Sequence, residues 1–518
     1  MQNLKIWNYI SLPWLGFTSI FFLIFFFLAF FSEVDFSFLT NSYLKDLFLN
    51  TIILSFSSAL LSALIAVPLA ILITFYKFPG HNFFSWALSL SIAFPAYVYA
   101  FIFVGIFEYA SPISEFLRGL NISLPSIKNV YGASAIMSMA LFPYIFLLTK
   151  AQLSSVGVGI FKAAKSLGSN NLTAIRKVIL PSLWPAVVAG MALVIFETIS
   201  DFGGVSTLRV ETFTVGIYDA WFGYQSYFSA ARLAGYLLLF VFFIVFISKY
   251  FGANSNTLAS KTAETFQKIE LNRFNQYMIS TTCLSIFVLV FCIPVIQLLV
   301  WHFDNLSFFN VSESLYLLFN SSILGVCAAL FTVFFAMALS LSYKSNSYIR
   351  PFISIASSGY AVPGSVISAA LLIVFDFVFD TSITLYGVFG LILCLSLRFM
   401  TPAFNYINAS LTNISKSAEN ALSTQPRNSY KAFRLFYLPQ MKPAILLSIM
   451  IVFIESIKEQ PATLLLRPVG FDTLSTKIYN FTSEGQWEMA STPSLFLIAL
   501  SLVFVYLINK NIDLNKNT

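Results

Sequence analysis

Apolar residues run along this chain in unbroken stretches of about 20, parted by short polar segments, a length that lets a helix cross the ~30 Å hydrocarbon slab of a bilayer. Twelve such runs predict helices near 13–32, 48–76, 84–108, 130–150, 183–203, 228–249, 277–301, 314–343, 352–376, 384–400, 442–460 and 493–509. The runs are continuous rather than alternating, so they predict helices that satisfy their own backbone polar groups, not the strands of a barrel. The run Pro13–Phe31 is long for a signal-peptide core and no A-x-A-like site follows it, so it is read as a retained first helix.

Composition removes the soluble alternative. Of 518 residues, 58% are hydrophobic, 59 are Phe and only 10% are charged, against about 25% charged in an ordinary soluble domain. Charge then sets the orientation. With the amino terminus inside, 21 of the 29 Lys and Arg fall on inner segments and 8 on outer ones, concentrated in Lys150–Lys177, Lys249–Arg273 and Arg398–Lys442. By the positive-inside rule both termini are expected in the cytoplasm. The net charge of +7 is thereby accounted for without a nucleic-acid partner. Cys283, Cys292, Cys327 and Cys394 lie in apolar runs without metal spacing, and His81 and His302 are the only histidines, so neither a metal centre nor a cofactor is expected.

The chain repeats itself. Leu180-Pro181-Ser182-Leu183-Trp184-Pro185 returns as Leu438-Pro439-Gln440-Met441-Lys442-Pro443, and at the same offset Glu197 and Asp201 align with Glu455 and Glu459. Leu49-Asn50-Thr51 pairs with Phe319-Asn320-Ser321, Pro95 with Pro363, Tyr131-Gly132 with Tyr386-Gly387, Glu211-Thr212 with Asp472-Thr473, and Ile217-Tyr218 with Ile478-Tyr479. The expected architecture is all-α, with two six-helix units, 1–252 and 277–518, joined by a polar cytoplasmic linker at 253–276. Six helices return each unit to the side where it began, so the repeats are parallel about an axis along the membrane normal.

The inner loop before the fifth run reads Phe161-Lys162-Ala163-Ala164-Lys165-Ser166-Leu167-Gly168 and continues to Ile179-Leu180-Pro181. Helix formers on both sides of Gly168, with Pro181 as a stop, predict two short helices about a glycine turn. Ala163 and Ala164 are small enough for a groove in another protein, with Arg176 and Lys177 at its rim. The pattern resembles the E-A-A-x-x-x-G signature, followed by I-x-L-P, of bacterial ABC importer permeases. Ala163, Ala164, Gly168, Ile179, Leu180 and Pro181 match it, and Lys162 replaces the usual Glu. In the second half Asn420 takes the Glu slot, Ala421 and Leu422 the Ala slots and Pro426 the Gly slot, before Leu438-Pro439.

That resemblance implies the type I importer permease fold, with these loops docking ATP-binding subunits, two copies of them, on one copy of this chain. No G-x-x-x-x-G-K-[ST] phosphate loop occurs, so energy must come from such a partner and the chain is not itself an enzyme. The stretch Lys458–Leu474 with Ser483-Glu484-Gly485, together with Asp201-Phe202-Gly203-Gly204 and Thr212–Trp221, resembles the fused two-unit permeases of ferric-iron importers. It implies an inner-membrane location and a periplasmic binding protein at the outer loops, chiefly Asp201–Ala230 and Glu459–Ala490.

Acids within membrane runs usually face a cavity or a partner, which makes Glu197, Asp201, Glu455 and Glu459 the candidate substrate pathway. Four-residue spacing puts each pair on one helix face, and hard cations favour such oxygens. The alternative is that they pair with Lys458, Arg467 or Arg209, or cap outer helix ends. Tyr97, Tyr99, Tyr360 and Tyr386 are further oxygen donors, and Pro95 and Pro363 predict kinks in the third run of each half. Rival readings are a permease for thiamine, phosphonate, polyamine or another small solute, and an ion-gradient-driven secondary transporter.

Overall fold

The apolar runs are helices in the computed structural model, which describes residues 6–33, 40–154, 158–252, 268–308, 310–381, 387–415, 417–418 and 429–516. Among the described residues, nine helices are long and apolar enough to cross a membrane, or eleven if two sharply bent pairs each count as one span. The all-α expectation holds. Among the described residues strand is confined to Tyr76–Lys77 and Ile269–Glu270, which pair in parallel and are tied by an ion pair from Lys77 Nζ to Glu270 Oε1 at 2.8 Å. Of the linker expected at 253–276, residues 253–267 lie outside the described set; its end is fastened to the first half by this short pairing.

Prolines shape the membrane segments more strongly than the expected kinks. In the first half, His81–Ala87 and a 3₁₀ turn at Leu90–Ala93 precede an extended Phe94 (φ −89°, ψ 129°), and a new helix begins at Ala96–Phe107. In the second half, Arg350–Ala356 and Gly359–Ala361 meet Gly364–Phe379 at 114° across Val362 and Pro363. A residue before proline is pushed out of the helical region and proline donates no N–H, so the third helix of each half is broken rather than bent. Non-helical backbone within a bilayer persists only where protein or a cavity surrounds it. The fourth helix of the second half also bends, by 55° between Phe389–Arg398 and Met400–Thr412.

The expected stop at Pro181 is overturned. Asn171–Ala174 runs through a π turn at Ile175–Ile179 into Leu180–Ser200, so the fifth helix starts inside the loop expected before it. Leu180 N–H bonds back to Ile175 O, and in the second half Leu438 N–H bonds back to Phe433 O from the matching π turn Phe433–Tyr437. The widened turn makes room for the following proline ring.

Each half sends its first helix onto the other. Asn8–Phe31 packs against Val311–Ser345, with Trp14 stacked on Phe335 at 4.2 Å and Ser11 Oγ donating to Ser342 Oγ at 2.8 Å. Conversely, Tyr99 of the first half donates to Val290 O of the second at 2.5 Å. Lipid offers no hydrophobic drive between helices, so close approach matters: a Cβ on Gly190 would lie 2.8 Å from Ile145 Cα.

Two contacts recur at positions matched by the repeat. Asn50 Nδ2 donates to Glu211 O at 3.0 Å, and Asn320 Nδ2 to Asp472 O at 2.9 Å. Phe213 N–H donates to Thr51 Oγ1 at 3.2 Å, and Leu474 N–H to Ser321 Oγ at 2.8 Å. Thr51→Val and Ser321→Ala each orphan a buried N–H, so each should cost about 1–3 kcal/mol, read as a lower unfolding midpoint in detergent. Asn50→Ala, whose contact is exposed, should cost less.

Candidate functional site

The first-half helix break and both acidic helix ends face one cavity of about 70 Å³. Phe94 to Tyr97 and Ile92 line it from the first-half break, and Tyr144 from the neighbouring helix. Glu197 and Asp201 enter from the fifth helix of the first half, and Glu455, Lys458 and Glu459 from that of the second, with Arg398 beside them. The four acids singled out by the repeat are thus brought together.

Their geometry departs from the expected shared helix faces. Leu180–Ser200 and Leu438–Lys458 end one residue before the second acid, leaving Asp201 (φ −70°, ψ 133°) and Glu459 (φ −67°, ψ 116°) in extended conformations at the helix ends. In the first half Asp201 Oδ2 accepts from Val205 N–H at 3.0 Å, opening the short turn Gly203–Thr207, and in the second the short helix Pro461–Leu466 follows Glu459. In each half the helix thus stops at its second acid, which lines the cavity.

The partners of the acids are only partly those expected. Glu455 lies 3.9 Å from Lys458. Glu459 Oε2 lies 3.1 Å from Arg398 Nε, while Arg467 pairs with Asp472. Tyr360, from the second-half break, donates its hydroxyl to Glu197 of the first half. Reciprocally, Lys458 Nζ of the second half donates to Ile92 O at the first-half break, at 2.8 Å. Each half's break is thus tied to the other half's acidic helix. On a neighbouring stretch the repeat-matched Tyr218 and Tyr479 meet edge to face at 5.9 Å.

Of the other tyrosines, Tyr99 is spent on Val290, Tyr386 lies outside the described residues, and Tyr97 has a buried hydroxyl without a partner among them. Ser200 Oγ, Glu459 Oε1 and Gln460 Oε1, also on the cavity wall, are likewise buried and unpartnered among the described residues. Such atoms are costly in an empty apolar interior and call for water or a polar guest. Among the described residues no three His, Cys, Asp or Glu side chains are placed to hold a metal together, so the acids form a lining rather than a cage.

Sequence reasoning missed Arg398, counted there among the inner basic residues. It is 4% exposed and on the cavity wall. Its signal was an arginine within an apolar run, where a buried partner is the rule.

The loop before the fifth helix has the expected glycine turn. Val158–Ser166 is followed by a turn at Gly168, whose φ of +84° suits glycine, before Asn171–Ala174. Lys162 and Ala163 are exposed, as are Leu180 and Pro181, but Ala164 is buried within the chain and is not offered to a partner groove. Leu167, 86% exposed at the tip, is an apolar side chain the sequence reading gave no role. Asn420, Ala421 and Pro426 lie outside the described residues; Leu438 is half-buried and Pro439 exposed.

Residues 66–254 match the sequence pattern of the binding-protein-dependent transport system inner membrane component. Over 457 residues the chain is 28% identical to the Fe(3+)-transport system permease protein FbpB 2 of Haemophilus influenzae, covering 85% of each. Over most of its length the chain resembles ferric-transport permeases. The permease is also 26% identical over 155 residues to the sulfate transport system permease protein CysT of Salmonella typhimurium, covering 30% of this chain and 55% of that one. It is 32% identical over 124 residues to the ferric transport system permease protein FbpB of Actinobacillus pleuropneumoniae, covering 23% and 18%. As a multi-pass inner-membrane permease of the ABC type it is a transport subunit rather than an enzyme, and its kind works with a binding protein and an ATPase.

Proposed function

We propose that this permease carries ferric iron through the cavity formed by Glu197, Asp201, Glu455 and Glu459. The observation that carries the reading is four carboxylates around one buried space with, among the described residues of its lining, only Arg398 and Lys458 opposing them. Such a lining attracts a hard cation and repels sulfate, so the charge favours the ferric relatives over the sulfate ones. Thiamine, with one fixed positive charge, does not need four carboxylates; a polyamine would suit them, and it is the ferric relatives that favour iron over it.

In this reading residues 1–252 and 277–518 are the two units, an assignment supported by the recurring Asn50 and Asn320 contacts. Both termini are cytoplasmic, following the basic residues. Two ATP-binding subunits dock on one copy of the chain. One meets the Lys162–Gly168 loop with Leu180 and Pro181, the other the matching segment Asn420–Pro426 with Leu438 and Pro439. The binding protein delivers cargo to Asp201–Ala230 and Glu459–Ala490. ATP-driven closure presses on the loops, and the π turns pass that movement into the fifth helices, whose far ends carry the acids.

The test is co-purification with the ATPase and binding protein, then iron uptake and iron-stimulated hydrolysis in liposomes. Glu197→Gln with Glu455→Gln should lower iron uptake by about 10- to 100-fold, the equivalent of one charge-assisted contact. Uptake that ignores both changes, or that proceeds without the ATPase, refutes the reading.

A further inference from the structure

The two halves treat their second acid differently. In the first, Asp201 is satisfied by its own backbone, through Val205 N–H. In the second, Glu459 is held by a cation from another helix. Arg398 Nε stands 3.1 Å from Glu459 Oε2, with the two side chains 5% and 6% exposed. Arg398 Nη1 donates at 3.1 Å to Val362 O, the carbonyl at the break before Pro363. Arg398 itself sits at the 55° bend between the two pieces of the fourth helix. One guanidinium thus ties together the broken third helix, the bent fourth and the end of the fifth. At the offset set by Tyr131-Gly132 and Tyr386-Gly387, the first half has Pro143 in this place, so the tie is one-sided.

The tie is also built to release. The Nε–H is close to the carboxylate but not aligned with it as a hydrogen bond, and Glu459 Oε1 has no partner among the described residues. A charge pair held by proximity, with one oxygen left over, exchanges one cation for another more readily than a two-bonded fork does.

We propose that Arg398 is a tethered counter-cation: it occupies Glu459 while the cavity is empty, keeps the pathway shut to small cations, and yields Glu459 to passing cargo. The yielding step rests on the cation-transport reading above; the shutting step does not. Arg398 is a gating residue here, and a packing role alone makes different predictions.

The experiment uses the full chain with its ATPase subunits in liposomes, without ATP and without iron. Mn2+ entry is read by quenching of an entrapped dye. Arg398→Gln leaves a buried carboxylate unopposed, and Mn2+ entry should rise about tenfold. Arg398→Lys, which keeps the charge, should bring entry back towards wild type. Arg398→Gln combined with Glu459→Gln removes both charges and should be as tight as wild type, whereas a packing role predicts at least as much entry as the single change. No rise in Arg398→Gln, or equal entry in the single and double variants, overturns the proposal. Should Arg398→Gln fail to fold, Glu459→Gln alone carries the sign: an unopposed guanidinium must hold Mn2+ entry below wild type, and entry above it overturns the latch. ATP-driven iron uptake by the wild-type complex is scored separately, so failure of the cargo assignment leaves the Mn2+ result standing.

Discussion

Gly359→Ala should abolish transport and lower stability by about 3 kcal/mol, the upper range for forcing atoms into a filled site. A Cβ at Gly359 would lie 1.8 Å from Leu397 O and 2.8 Å from Leu397 C, both backbone atoms that no rotamer change moves away. The break in the third helix is pressed there onto the bend of the fourth, and Tyr360 N–H bonds to Thr401 Oγ1 at 3.0 Å beside it. Parting these backbones pulls Tyr360 from Glu197 and Val362 from Arg398, so both ties to the cavity fail at once. Unfolding in detergent and uptake in liposomes are the measurements. Gly16→Ala, where a Cβ meets nothing within 4 Å, is the control expected to behave as wild type. Wild-type uptake by Gly359→Ala would show that the contact of the two breaks is not needed.

Gly168→Leu should act in the opposite manner, leaving the fold intact and separating ATP hydrolysis from uptake. A Cβ there meets nothing within 4 Å, so the change brings no clash, only the strain of a φ of +84°, about 1–2 kcal/mol. That strain is enough to shift the turn between Val158–Ser166 and Asn171–Ala174 and misplace the exposed Leu167. Iron carried per ATP hydrolysed should fall by about tenfold, since 1.4 kcal/mol corresponds to that factor. The same replacement at Pro426 should do less, because the second loop departs further from the docking signature. Equal loss at both positions would remove the asymmetry between the loops.

Much of this molecule was legible along the chain. The apolar runs located the helices because a membrane segment must be apolar over its whole length, a property each segment carries alone. The four acids stood out for a related reason: a charge in an apolar run is rare enough to mark a cavity. Gly168 was legible as a turn because only its own φ was at issue. The misses have a common cause. Pro95 and Pro363 announced an irregularity, but whether a helix bends or breaks depends on what surrounds the freed carbonyls. Pro181 looked like a stop because the π turn that accommodates it leaves no mark in local propensity. Ala164 looked like part of a docking face because which side of a short helix turns inward is settled by its neighbours.

Lipid as the surrounding medium, the helical class, the internal repeat and the position of every acid follow from residue types and spacings, since each expresses the local cost of exposing or burying a group. That Glu459 meets Arg398, that Tyr360 reaches Glu197 across the halves, and that each half lends its first helix to the other were decided only in three dimensions. Those pairings join residues far apart in the chain. They depend on how broken helices pack, and in lipid that is governed by shape and by the satisfaction of buried polar atoms, to which hydropathy along the chain is blind.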